Sequence, residues 1–441
     1  MPIKVGMISL GCPKNQVDAE RMLAQLRGEG CELTPHADEA DVVVVNTCGF
    51  IEDAKKESIE NILEMAQLKK EGKIKGLVVS GCLAERYYKE MSEEFPEVNC
   101  VLSVGRAGEI ARAVRAAAGG KTLSLCGAPE DLALTGPRVL TTQPFTAYLK
   151  IAEGCDNRCS YCVIPSLRGR YRSRPMEEIL SEAEELAARG VKELVVVAQD
   201  TTRYGQDLTG RLQLPELLRA LCRIGGLRWI RVLYCYPDRV TDELIDVFAS
   251  EEKLVKYIDL PIQHCNARVV RAMNRRFSRA ELVPLIAKLR ARIPGLTLRT
   301  TLIVGFPGET EEEFGELLGF VRETRFERLG AFAYSQEDGT PAAELPGQID
   351  EEVKKRRQEL VMEAQDRIAQ EENERKLGKL VEVLCEGYDR YAECFFGRSA
   401  ADAPDIDGKV FFTAEKRPKA GGFVQVKITD VCDYDLTGER V

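Results

Sequence analysis

No stretch of this sequence reaches the roughly eighteen consecutive apolar residues that a membrane span requires, so no transmembrane helix is expected. The N-terminus also lacks the charged-then-apolar pattern of a secretory signal, and a cytoplasmic location follows as the expectation. A basic excess is missing too. With 62 lysines and arginines against 71 aspartates and glutamates the net charge is -9, which disfavours nonspecific nucleic-acid binding and suits a basic protein partner. Fifteen cysteines in 441 residues are too dilute and irregular for a disulfide scaffold. In a reducing compartment they read as metal ligands plus ordinary core residues. The length exceeds what one core supports, so two or three domains are expected.

What is present centres on Gly154-Cys155-Asp156-Asn157-Arg158-Cys159-Ser160-Tyr161-Cys162. Three cysteines spaced Cys-x3-Cys-x2-Cys can hold three corners of a cubic iron-sulfur cluster, and no fourth cysteine follows closely, which leaves one iron open to an external ligand. A structural zinc loop is the competing reading, but zinc normally takes four ligands in two pairs.

The first 120 residues show three β-branched runs that each end at a cysteine: Val5 to Leu10 before Cys12, Val42 to Val45 before Cys48, and Leu77 to Val79 before Cys82. Helical patterns over Val17 to Gly28 and Glu52 to Lys70 separate them, which predicts a parallel α/β sheet. Strand carboxyl ends in such a sheet line one crevice, so Cys12, Cys48 and Cys82 are expected on one edge. They can hold a second cluster, or each can be a small apolar residue at a tight turn. Cys31 and Cys100 lack that placement and read as structural.

Residues 121–143 contain Gly127, Pro129, Gly136 and Pro137 with little periodicity and read as a linker. Beyond them six strand-like runs, Ala147 to Ile151, Glu193 to Ala198, Ile230 to Tyr236, Tyr257 to Ile262, Leu298 to Val304 and Leu329 to Tyr334, alternate with helical patterns. Six βα units are too few for a closed eightfold barrel and predict an open (βα)6 partial TIM barrel. Barrel logic places the active site in the loops after the strands: the cysteine loop, Gln199-Asp200-Thr201-Thr202, Tyr236-Pro237-Asp238, Gln263-His264, Gly305-Phe306-Pro307-Gly308-Glu309 and Ser335 to Gly339. His264 is either a hydrogen-bonded structural group or a pocket residue. Cys235 and Cys265 read as core thiols, and Cys222 as buried in a helix.

Asp350 to Lys376 reads as a long connecting helix. The alternating runs after Gly378 predict a small antiparallel β-barrel. From 376 to 441 there are 10 lysines or arginines against 12 aspartates or glutamates, without the basic footprint that gripping RNA requires.

The cysteine loop resembles the radical S-adenosylmethionine (SAM) superfamily. The whole arrangement resembles the methylthiotransferase family within it, with domains at 1–120, 144–375 and 376–441 joined by the 121–143 linker. Ser9-Leu10-Gly11-Cys12-Pro13-Lys14-Asn15-Gln16-Val17-Asp18-Ala19-Glu20, Gln199 to Gly205 and Asp259 to Cys265 look like the RimO branch, which modifies an aspartate of a small-subunit ribosomal protein, protein twelve. The tRNA-modifying MiaB branch typically has Tyr-Gly-Cys-Gln-Met-Asn in the first place. The resemblance implies two 4Fe-4S clusters, held by Cys155, Cys159 and Cys162 and by Cys12, Cys48 and Cys82. It implies SAM contacts at Tyr161, Gln199, Gln263, Gly305 and Pro307, and a TRAM-like last domain. It also implies an external electron donor, a sulfur source and a ribosomal protein substrate, with no membrane partner and nucleic acid disfavoured as substrate. Three other readings stay open: a tRNA methylthiotransferase, a radical SAM enzyme whose N-terminal cysteines are structural, and an iron-sulfur electron carrier without substrate chemistry.

Overall fold

The computed structural model describes residues 2–441. Its first sheet has six parallel strands, β1 (Lys4–Ser9), β2 (Glu32–Thr34), β3 (Val42–Thr47), β4 (Gly76–Gly81), β5 (Cys100–Leu102) and β6 (Leu123–Leu125), in the order β2-β1-β3-β4-β5-β6. β3 and β4 are buried along their whole length, as continuous apolar runs must be when helices cover both faces. Helices Pro13–Gly28 and Ile110–Ala118 pack on one face, Glu52–Lys70 and Tyr88–Glu94 on the other. The order reverses between β1 and β3, a topological switch point where ligands bind in open α/β sheets. β6 falls inside the stretch read as a linker, and Arg138 further along that stretch is buried against Glu20 and Glu182. That stretch therefore carries a strand and an ion-pair anchor, which alternation and turn residues alone did not signal.

The second sheet begins at β7 (Thr146–Lys150), after which β8 (Ala152–Glu153) and β9 (Arg172–Ser173) form a small antiparallel pair. β10 (Glu193–Val197), β11 (Trp229–Val232), β12 (Leu254–Asp259), β13 (Thr297–Val304) and β14 (Arg328–Ala333) complete six parallel strands in sequential order, open between β7 and β14. Outer residues such as Leu194, Val196, Ile230 and Leu298 meet the helices in one continuous core. Helix Glu351–Glu374 packs its buried Val361, Ala364 and Ile368 side against this domain. It is part of the helical layer as well as a connection.

The last sheet, β15 (Leu380–Asp389), β16 (Cys394–Ser399), β17 (Val410–Thr413), β18 (Phe423–Cys432) and β19 (Asp435–Arg440), closes into a five-stranded barrel. Closure removes the exposed edges of a small sheet. Its residues Leu384, Ala400 and Ala403 meet the inner face of the second sheet at Tyr148, Val195, Trp229 and Tyr257, and Val17 of the N-terminal domain joins the same cluster. Buried charges hold the contact. Arg398 bonds Glu193 at 2.6 Å, Arg328 bonds Asp402 at 2.5 Å, and the Tyr257 hydroxyl donates to Asp407 at 2.7 Å. Side chains from both flanking domains thus pack against part of the inner face of the open barrel. No helix among the described residues is long and apolar enough to cross a membrane.

Candidate active site

Cys12, Cys48 and Cys82 leave β1, β3 and β4 at the same end of the first sheet. Gly11 (φ +84°) and Gly81 (φ +94°) make this possible. A Cβ on Gly11 would lie 2.8 Å from Cys48 Sγ, and one on Gly81 would lie 2.4 Å from the Thr47 carbonyl oxygen. Only glycine combines that backbone with that approach. Asn15 ties the loops together, donating from Nδ2 to Leu10 O at 2.7 Å and Thr47 O at 3.2 Å, while Asn46 donates to Asn15 O at 2.9 Å. Burial pushes the Cys48 thiol up to about 12, and the neighbouring Cys82 and Cys12 push in the same direction. Burial opposes ionisation of Cys12 too, yet Lys14 and Arg168 bring it below the ordinary value.

The second cysteine loop follows β7 and β8. Burial raises Cys155 to about 12, and raises Cys162 further with help from Cys159 and Cys155. Thiols that raise one another in this way stand together, and a positive centre among them relieves the repulsion. Arg275 spans the loop from outside, its guanidinium 4.1 Å from the Tyr236 ring and 3.7 Å from Cys159 Sγ. Asn157 donates to Asp200 Oδ2 at 2.9 Å, which Arg239 also reaches at 3.0 Å. Among the described residues no group of three His, Cys, Asp or Glu side chains closes around a single ion. A cubane is wider than one ion, so its thiolate corners stand further apart than the ligands of a lone metal.

A buried charge network links the two loops. Arg168 donates from Nε and Nη2 to Cys82 Sγ at 3.4 and 3.3 Å, and from Nη2 to Asn15 Oδ1 at 3.0 Å. It also meets Asp18, which bonds Lys150 in turn. Lys150 reaches Glu153 at 2.6 Å, and Glu153 accepts from Gln199 Nε2 at 2.5 Å. Burial pushes the Glu153 carboxyl up, but Lys150 and Arg168 outweigh it and hold the group well below its usual range.

The five residues expected to touch SAM divide into two groups. Gln199 and Gln263 stand after β10 and β12, and the Oε1 atoms of both are buried with no partner among the described residues. Gln263 holds φ 70°, fixed by Thr301 and Ile303 on either side. Buried acceptors without donors call for a ligand or water. Tyr161 receives Arg275 Nη1 on its hydroxyl at 3.4 Å and packs in a cluster with Phe306 and Tyr334. The Gly305–Pro307 turn is otherwise engaged: the N–H groups of Gly305 and Phe306 donate to Glu309 Oε2 at 2.8 and 3.1 Å. A Cβ on Gly305 would strike Lys354 Cγ at 2.4 Å, which gives that glycine a packing reason.

His264 is fully buried. Its Nδ1 accepts from Asn266 N at 3.0 Å, so the proton sits on Nε2, 3.9 Å from Glu309 Oε2. Burial drives His264 down to about 3 and Glu309 up to about 7. The histidine Nε2 finds no hydrogen-bond partner among the described residues. Residues that the sequence reading gave no role, namely Asp18, Lys150, Glu153, Arg168 and Arg275, carry most of the polar framework. Of these only Lys150 gave a signal, a charge inside the apolar run Ala147 to Ile151.

Three family models match the chain: uncharacterized protein family UPF0004 over residues 4–103, the Radical SAM superfamily over 149–321, and the TRAM domain over 377–441. A protein of Pelotomaculum thermopropionicum named ribosomal protein uS12 methylthiotransferase RimO is 54% identical over 443 residues, covering 100% of both chains. The protein of that name from Thermoanaerobacter sp. is 50% identical over 99% of both chains. The chain belongs to the RimO family. A third member, from Geobacter sulfurreducens, is 49% identical over 99% of this chain and 98% of its own. Among solved structures, the radical SAM methyltransferase TsrM from Kitasatospora setae superimposes with a TM-score of 0.57 at 15% identity, over 78% of this chain and 77% of that one. At that identity the likeness is one of fold. Family membership brings SAM and an iron-sulfur cluster with it.

Proposed function

We propose that this chain transfers a methylthio group to the β-carbon of an aspartate in ribosomal protein uS12, using SAM and two 4Fe-4S clusters. Support for the substrate comes from the uS12 methylthiotransferases that match it end to end. Support for two clusters comes from one observation: two three-cysteine loops on different domains face one buried charge network, in which Arg168 touches Cys82 and Glu153 stands two residues before Cys155.

In this reading Cys155, Cys159 and Cys162 hold the cluster that binds SAM, and Cys12, Cys48 and Cys82 hold the one that carries sulfur. When bound, the first supplies an electron for cleaving SAM to a 5'-deoxyadenosyl radical, hydrogen abstraction from an unactivated carbon being beyond any side chain. Gln199 and Gln263 would direct their free Oε1 atoms to SAM, and Tyr161, Gly305 and Pro307 would shape the wall beside it. Asp18, Lys150, Glu153 and Arg168 fix the two loops relative to each other, so that the reacting carbon and the sulfur meet in one orientation. Their burial, together with the domain contacts on the inner face of the barrel, keeps water from the radical. The electron donor and the sulfur source are external.

The test is anaerobic reconstitution with an iron count, followed by mass spectrometry of uS12 and of bulk tRNA after incubation with SAM, sulfide and a reductant. About eight irons and a methylthio increment on uS12 are expected. Modification of tRNA alone, or four irons without modification, would overturn the reading.

A further inference from the structure

Lys14 stands beside Cys12, whose thiol it helps to lower, yet it has no place in the network of ion pairs between the loops. It lies in the first turn of helix Pro13–Gly28, two residues after Cys12, and is 7% exposed. Among the described residues no carboxylate oxygen lies within 4.0 Å of its Nζ. The nearby buried carboxylates are already engaged: Asp18 by Lys150 and Arg168, Glu153 by the same two cations. Its close partner is the face of Tyr234, whose ring centroid lies 3.4 Å from Nζ.

This is a costly place for a cation. Burial and the positive end of a helix both work against a cation here, while Tyr234 and Cys12 work for it and outweigh them, although no carboxylate pairs with it directly. Tyr234 is itself held in an unusual conformation, with φ 63°, its N–H donating to Asp259 Oδ2 at 2.9 Å, and Asp259 held by Arg299 at 2.9 Å. A bulky residue with positive φ persists only where its surroundings enforce it. Tyr234 and Lys14 therefore form a built pair beside Cys12, an ammonium on an aromatic floor that no carboxylate neutralises. An anion completes it.

We propose that Lys14 binds the side-chain carboxylate of the aspartate that the enzyme modifies, and so decides aspartate against uncharged residues at that position. This rests on the uS12 reading above. A carboxylate on Nζ makes a charge-assisted hydrogen bond in a water-poor site, where losing one partner of such a pair costs affinity steeply. It would also place the carbon next to the carboxyl group between the two cysteine loops.

The experiment uses reconstituted holoenzyme with uS12 and with a uS12 variant carrying asparagine in place of the modified aspartate. It measures kcat/KM for both, and the affinity of each for the enzyme by fluorescence anisotropy. Wild type is expected to favour aspartate at least about tenfold in both measurements, whereas Lys14→Met should lower kcat/KM for aspartate about thirtyfold and bring the ratio close to one. Lys14→Arg, which keeps the charge, should keep the preference, and it decides the matter if Lys14→Met fails to load iron. A ratio unchanged in Lys14→Met, an equal loss for both substrates, or a rise confined to the KM for SAM would overturn the proposal. Wild-type enzyme that leaves uS12 unmodified would refute the broader reading instead, which separates the two failures.

Discussion

Arg168, carried by the barrel domain, donates two hydrogen bonds to the Cys82 sulfur of the N-terminal domain, at 3.3 and 3.4 Å. The same guanidinium binds Asp18 and Asn15, so one side chain fixes the distance between the two cysteine loops. Replacing it by Met leaves Asp18 with Lys150 alone and Cys82 without its donors. Removing one member of a buried charged set typically costs about 3–5 kcal/mol, and chemical denaturation of the metal-free protein should show a loss of that order. Arg168→Lys keeps the charge but loses the fork, and should fall between. If Cys12, Cys48 and Cys82 hold a cluster as proposed, loss of the cation and its hydrogen bonds should make it harder to reduce, a negative shift readable by EPR-monitored redox titration.

Replacing Cys12, Cys48 and Cys82 together by Ala should halve the iron content and abolish methylthiolation while 5'-deoxyadenosine is still formed from SAM. The corresponding Cys155, Cys159 and Cys162 variant should keep half the iron and form no 5'-deoxyadenosine. Loss of SAM cleavage in the first variant with its barrel cluster still bound would count against this division of labour.

Gly81→Ala is expected to be disproportionately harmful. Its φ of +94° is unfavourable for alanine, and the new Cβ would lie 2.4 Å from the Thr47 carbonyl oxygen and 2.8 Å from Asn46 Oδ1. Strain of this kind costs of order 1–3 kcal/mol before any displacement of Cys82 is counted. Both the denaturation midpoint and the iron content should fall. Gly72→Ala, with φ +75° but open space around it, should lower stability by less and leave iron binding intact.

His264 and Glu309 should give opposing pH dependences. The Glu309 carboxyl is raised in the folded state to about 7, so the folded protein binds this proton more tightly and stability falls as pH rises from the unfolded carboxylate value toward 7. His264 is lowered to about 3, so its contribution is present above the unfolded imidazole value near 6.5 and is lost as pH falls below it. Between about pH 4.5 and 6.5 the two slopes offset each other. Glu309→Gln should unmask stability that rises with pH in that window, and His264→Asn should unmask the opposite slope. Urea denaturation at several pH values distinguishes them, and parallel curves for wild type and both variants would refute the assignment.

Much of the architecture could be read locally. The helix Glu52–Lys70 falls where the apolar spacing places it, because a helix that buries one face carries its period in the chain. The alternating runs after Gly378 likewise announced a small barrel, although its five strands and their closure appear only in the fold. Strand β6 carries no readable pattern, because its three residues are at most partly buried.

By itself the sequence determined the spacing of Cys155, Cys159 and Cys162, the strand-end placing of Cys12, Cys48 and Cys82, and the order of a parallel sheet, an open barrel and a small β-barrel. Each is a local property, a spacing or a periodicity held within one segment. Tertiary structure alone decided that Arg168 reaches Cys82 across 86 positions, that Lys150 reaches Asp18 across 132, and that Lys14 is left buried without a carboxylate. Ion pairs in a buried interface are chosen by which segments meet and by the cost of leaving a charge unmatched. No local pattern records that choice, because the partners become neighbours only after the sheets have formed and docked.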